Sequence, residues 1–186
     1  MKSYPGTHHR RSIRLRNFDY SQAGAYFVTT CTQGHTCLFG EVTDGKMQLN
    51  EPGQIVQMVW DGLTVDFPGL ALDMFVIMPN HIHGIMVIDV RAGWEPAPMQ
   101  SGLPGIVHAL KTHSSRRINA WRRTPGTQVW QRGYYEHVVR NEADLNRLRE
   151  YIHNNPMRWE LDRLHPSQGS SNLSYKGRMI HRRGNS

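Results

Sequence analysis

The chain has 186 residues, 38% hydrophobic and 20% charged, which suits one domain with a real core and excludes wholesale disorder. Its formal net charge is +7 with a pI near 9.8, so a polyanion is the expected partner, nucleic acid first and an anionic membrane surface second. No stretch is long and apolar enough to span a bilayer as a helix.

Residues 1–24 form a basic arm carrying Arg10, Arg11, Arg14 and Arg16. No apolar run follows it, so it does not read as a secretory signal. Cys31 and Cys37 match neither a zinc framework nor a disulfide scaffold, and a reduced, cytoplasmic protein is expected. AYFVTTCT (25–32) is β-branched and aromatic and predicts a strand. LFGEV and KMQLN flank Asp44-Gly45, a hairpin-turn signal. From Glu51 to Val65, Ile55, Met58, Val59 and Leu63 recur at helical spacing, and Pro68-Gly69 ends that element. LDMFVIMP (72–79) and HIHGIMVID (81–89) predict two closely spaced strands, and 91–102 reads as a loop.

A second helix is predicted from Leu103 to about Arg123, with Ile106, Val107, Leu110, Ser114 and Ile118 on its inner face. VWQRGYYEHVV (129–139) predicts a strand. Asn141 can cap a third helix, with Asp144 as a partial capping box and Leu145, Leu148 and Ile152 as its core stripe. Residues 25–165 are the expected domain, and 166–186 a basic tail expected to be mobile. Strands this close in sequence pair antiparallel, so the fold class is α+β: a ferredoxin-like antiparallel sheet with helices packed mainly on one face.

Two groups of residues carry chemistry. His81 and His83 flank Ile82 on a predicted strand, so both imidazoles share a face, roughly 6.5–7 Å apart along the backbone. That pair can close on one metal ion. The competing reading, two solvated histidines, is weakened by the apolar FVIM and GIMVI runs on either side, where unpaired rings would be costly. The second group is Tyr151 and Asn155, which lie close to one helical direction at the border of the core stripe. Asn155 precedes Pro156, which biases it away from helical geometry. A packing tyrosine followed by an asparagine helix stop is the plain alternative.

Together, MPNHIHGI, VWQRGYYEHVVRNEADLNRLREYIHNNP and LKTHSSRRINAW resemble the REP-associated tyrosine transposases, single-tyrosine members of the HUH nuclease superfamily, over roughly residues 12–165. The resemblance implies that His81 and His83 hold the metal, that Asn155 is a third, amide ligand and that Tyr151 is the nucleophile. It implies metal-dependent cleavage and rejoining of single-stranded DNA through a 5′-phosphotyrosine, and repeated extragenic palindromes as hairpin substrates. A tyrosine is phenolate in only about one molecule in a thousand at neutral pH, so a divalent ion would assist. Imidazole and amide ligands together suit Mg2+ or Mn2+.

Tyr134 and Tyr135 are rival nucleophiles, read as core and DNA-stacking positions. His153 should face away from Tyr151, and His108 and His113 read as solvated groups or phosphate contacts. Arg14, Arg16, Lys111, Arg116, Arg117, Arg132 and Arg140 are the expected DNA contacts. A non-catalytic nucleic-acid-binding module on the same fold is the alternative function, and a zinc hydrolase a third that lacks a customary third ligand. Either a monomer or a homodimer is compatible with the sequence.

Overall fold

A β-branched, aromatic strand at the centre of a sheet collects partners on both edges, and β1 (Gly24–Cys31) does so here. The computed structural model describes residues 23–89 and 102–168. The arm with Arg14 and Arg16, the 91–101 connection and the chain beyond 168 lie outside the described residues. After β1 comes a hairpin, β2 (Gly40–Thr43) and β3 (Lys46–Leu49), then α1 (Glu51–Asp66), β4 (Leu70–Met78), β5 (His81–Ile88), α2 (Gly102–Trp121), β6 (Tyr135–Val139) and α3 (Glu142–Asn154). A 3-10 helix, Pro156–Leu161, follows α3 directly. None of the described helices is long and apolar enough to cross a membrane.

The main sheet runs β4-β5-β1-β6 with every neighbour antiparallel, and β2-β3 forms a separate two-stranded ribbon. Without that ribbon the chain order is β-α-β-β-α-β, the ferredoxin-like succession. The ribbon turns at Asp44 and Gly45, whose φ values of 52° and 69° are those a tight primed turn requires.

Side chains alternate between the faces of each strand, so neighbours on β5 point to opposite sides. On one face Trp60 of α1 lies over Gly84 and stacks on Phe75 at 4.0 Å. A Cβ on Gly84 would meet that indole at 2.3 Å, so glycine is what lets α1 seat there. The second helix packs beside α1 and buries the predicted stripe Ile106, Val107, Leu110, Ser114 and Ile118. The opposite face, bearing Phe27 and His83, is covered by α3. Two of the three helices therefore share a face, as expected, and the third brings Tyr151 to the other. Leu148 and Ile152 of its stripe are buried, while Leu145 is only half-buried.

Two local expectations need correction. The predicted strand 129–139 is broken: Trp130 bridges Thr32, and the ladder restarts only at Tyr135. Lys111 explains the gap, because its ammonium takes the carbonyls of Gln131 and Gly133 at 2.6 and 2.9 Å, turning them away from strand pairing. Asn155, expected to leave helical geometry before Pro156, keeps φ −60° and ψ −45°. The chain passes straight from α3 into the 3-10 helix, where proline occupies a first-turn position that needs no N–H donor.

Candidate metal and tyrosine site

The two histidines sit at the start of β5, at the inner edge of a two-residue turn from β4. Strand pairing sets Cys31 opposite His81 and Thr29 opposite His83. Both rings are buried, at 0% and 1% exposure, and their Nε2 atoms face each other at 3.1 Å. Their Nδ1 atoms are held from behind. His81 Nδ1 meets Asn80 Oδ1 at 2.8 Å, and His83 Nδ1 meets Thr29 Oγ1 at 2.7 Å.

Asn80 fixes the His81 tautomer. Its Nδ2 donates to the carbonyls of His35 and Leu164, at 3.1 and 2.7 Å. Its Oδ1 must therefore accept, and His81 Nδ1 carries the proton. That leaves a lone pair on His81 Nε2. Thr29 can donate to His83 Nδ1 or accept from it. When it accepts, His83 also presents a lone pair at Nε2, and both nitrogens are available to one cation. Burial keeps both rings neutral: it pushes His83 down to about 3 and, with His83 adjacent, His81 well below its ordinary 6.5.

Tyr151 comes from the opposite element. Its ring packs edge-on to Phe27 and His83, with centroids 6.0 and 5.1 Å away, and its hydroxyl lies 3.3 Å from His83 Nε2. Burial, and then the Asp162 carboxylate, push the phenol up to about 12. One helical turn on, Asn155 is 3% exposed, and its Oδ1 is buried with no hydrogen-bond partner. A buried acceptor left unpaired costs about 1–3 kcal/mol, so an oxygen in that state beside two imidazole lone pairs suits a cation. The donor set of two neutral nitrogens and an amide oxygen thus fits a divalent metal.

The structure brings His81, His83, Tyr151 and Asn155 together and adds three residues that the sequence reading did not assign. Asn80 and Thr29 orient the histidines. Asp162, just past the 3-10 helix, offers a carboxylate whose ligand atom and those of His81 and His83 lie within 4.8 Å of one another. Asn80 was legible in principle, as the residue joined to His81 in MPNHIHG. Nothing in the local sequence marks Asp162.

The rival groups fall elsewhere. Tyr135 is half-buried on β6, 6.4 Å from Phe27, and burial followed by the nearby Asp144 and Glu136 carboxylates raises its phenol. His153 is exposed, and His113 faces Asp66 at 3.7 Å. Among the expected DNA contacts, Lys111 is engaged inside the protein, while Arg117 lies over Met58 of α1. Arg116 and Arg132 are exposed and, with Arg123, line a groove of about 950 Å³ between α2 and the 125–132 segment. Arg140 is exposed at the entry to α3, where its backbone N–H reaches Asp144.

Comparison with known proteins adds three findings. The family model described as Transposase IS200 like matches residues 68–155, which span His81, His83, Tyr151 and Asn155. An uncharacterized protein of Haemophilus influenzae is 39% identical over 171 residues, covering 86% of this chain and 95% of that one. The structure of a REP-associated tyrosine transposase bound to a REP hairpin superposes with a TM-score of 0.57 at 17% identity, covering 91% of this chain and all of that one, and so shares the fold.

Proposed function

Because this chain belongs to the IS200-like transposase family, we propose that it is a metal-dependent single-strand DNA endonuclease and transesterase, with Tyr151 as nucleophile and His81, His83 and Asn155 as ligands for Mg2+ or Mn2+. One observation carries this reading. The Tyr151 hydroxyl stands 3.3 Å from an imidazole nitrogen that faces a second imidazole nitrogen, with an unpartnered buried amide oxygen one helical turn away.

A phenol held near 12 is about 10⁻⁵ ionised at pH 7, five units below. A divalent cation held by His81, His83 and Asn155 would supply charge neutralisation and Lewis acidity toward a phosphate oxygen. The protein supplies direction: Phe27 and His83 fix the Tyr151 ring so that its hydroxyl has one approach to a phosphorus atom. The phenolic oxygen forms the bond to phosphorus as the bond to the 3′ oxygen breaks. The phenol loses its proton, the departing oxygen gains one, and the products are a 5′-phosphotyrosine and a 3′-hydroxyl. The phosphodiester energy stays in the covalent link, so rejoining requires only the reverse attack by a 3′-hydroxyl.

Arg116, Arg123 and Arg132 would hold the DNA backbone, as affinity without sequence. Hairpin-bearing single strands are the proposed substrate class. The similar fold of a transposase bound to a REP hairpin supports that choice. Residues 25–165 contain every group the reaction needs and are the proposed catalytic domain, flanked by a basic arm (1–24) and tail (166–186). Incubation with hairpin-bearing single-stranded oligonucleotides and Mg2+ or Mn2+ tests the proposal. A denaturant-resistant protein–DNA adduct is expected. Tight binding without any adduct would instead make the chain a non-catalytic binding module.

A further inference from the structure

We infer that the segment following α3 completes the metal centre, with Asp162 supplying a carboxylate as a fourth ligand beside His81, His83 and Asn155. The inference rests on the metal reading above and names a ligand outside the HxH and Tyr-x-x-x-Asn pattern.

The geometry is local and well tied. The Asp162 carboxylate and the ring nitrogens of His81 and His83 lie within 4.8 Å of one another. The chain is anchored on both sides of that carboxylate. Before it, Trp159 is buried and its ring lies 6.0 Å from that of His81. After it, Leu164 is buried, and its carbonyl accepts from Asn80 Nδ2 at 2.7 Å. Asn80 also holds the His81 ring, so one amide ties the Asp162 segment and a metal ligand to the same point. Asp162 itself leaves the 3-10 helix in an extended conformation, with its N–H bonded to Trp159 O. One carboxylate oxygen is set by the Leu164 N–H at 2.7 Å.

Charge gives the reason for such a residue. Among the described residues no lysine, arginine or histidine lies within ion-pairing distance of Asp162, and the charges of His165 and Arg163 reach it only at longer range. A half-buried carboxylate beside neutral rings needs a counter-charge. The other three donors are neutral, so a divalent ion among them keeps its full charge. One hard anionic oxygen offsets part of that charge and raises affinity for Mg2+ or Mn2+ over what imidazole and amide provide.

Calorimetric titration of Mn2+ into the full-length protein tests this, comparing wild type, Asp162→Asn and His83→Gln, with melting temperature in EDTA as the control for folding. Asp162→Asn should melt like wild type and bind Mn2+ about 10- to 100-fold more weakly, the range that even outer partners of metal ligands reach. Mn2+ affinity equal to wild type in Asp162→Asn, with binding weakened in His83→Gln, would overturn the fourth ligand and leave the histidine site standing. A wild type that takes up no Mn2+ would remove both. Asp162→Cys loaded with Co2+ provides a reading independent of the asparagine variant's folding. A near-ultraviolet sulfur-to-cobalt charge-transfer band absent from wild type is expected, and its absence from the Co2+-loaded variant overturns the assignment.

Discussion

Arg149 grips Asp73 with two parallel hydrogen bonds, Nε to Oδ1 at 2.9 Å and Nη2 to Oδ2 at 2.6 Å. Asp73 lies where the β4–β5 register shifts, between Leu72 and Phe75, and Arg149 lies two residues before Tyr151. The irregularity in an edge strand thus presents a carboxylate to the helix that carries Tyr151, the proposed nucleophile, and a forked pair fixes orientation as well as distance. Arg149→Lys keeps the charge and loses the fork. It should leave the fold intact and slow adduct formation by about 10- to 100-fold, the scale of a small misplacement of a reacting group. Single-turnover cleavage at saturating DNA measures this. An unchanged rate would mean that packing alone sets Tyr151.

The Asn80 side chain makes three hydrogen bonds, two of them fully buried, that join His81, the His35 turn and Leu164. Asn80→Ala strands two carbonyls and frees the His81 ring. It should cost about 2–4 kcal/mol of stability, from unpaired groups worth about 1–3 kcal/mol each, and should also weaken Mn2+ binding. Denaturant unfolding and metal titration report the two effects. A variant that loses stability and keeps full Mn2+ affinity would make Asn80 a purely structural residue.

Acid should destabilise the metal-free protein earlier than its carboxylates alone would. Burial holds His83 at about 3 and His81 well below 6.5 in the folded chain, whereas both titrate near 6.5 when unfolded. Below 6.5 the unfolded state gains protons that the folded state does not. The stability is thus complete above about pH 6.5 and is lost as pH falls toward 3, by at most about 1.4 kcal/mol per pH unit for each histidine. Melting temperatures in EDTA between pH 7.5 and 5 should fall, and His83→Gln should flatten the fall. Parallel curves for the two proteins would show that His83 is not held neutral.

Arg116, Arg123 and Arg132 are exposed along one groove, and their joint removal separates affinity from chemistry. Each phosphate contact contributes about 0.7 to the slope of log affinity against log salt for a single strand, and about 0.9 for a duplex. The triple alanine variant should flatten that slope by about two to three units, alike for matched and scrambled hairpins. Binding titrations at several salt concentrations give the slopes. An unchanged slope would move the DNA off this groove and onto other basic residues, such as Arg140 or the 10–16 arm.

Periodicity carried most of the fold. The β1, α1, β4, β5, α2 and α3 segments are each signalled by local apolar spacing or capping, and Asn141 caps α3 as expected, its Oδ1 accepting from the Asp144 N–H. The break at 131–134 was not legible, because it depends on Lys111 reaching across from α2 to two carbonyls. The same contact could not be read from charge alone, which marks Lys111 only as another basic residue on a helix. At the site, His81 and His83 stand out by spacing, and Tyr151 and Asn155 by the resemblance of REYIHNNP to the family pattern. Thr29 and Asp162 do not, since strand register and the docking of the post-α3 segment bring them there.

The proposed reaction turns on a covalent link between Tyr151 and DNA. Wild type, Tyr151→Phe and Tyr135→Phe are to be incubated with a hairpin-bearing single-stranded oligonucleotide and Mn2+, digested, and the modified peptide sequenced by mass spectrometry. Tyr151→Phe removes one hydroxyl whose hydrogen bond to His83 is worth about 1 kcal/mol at most, so the variant should fold and bind DNA. A nucleotide-bearing Tyr151 is expected in wild type and Tyr135→Phe, and no adduct in Tyr151→Phe. An adduct that persists in Tyr151→Phe, or that maps to Tyr135, would contradict the proposal.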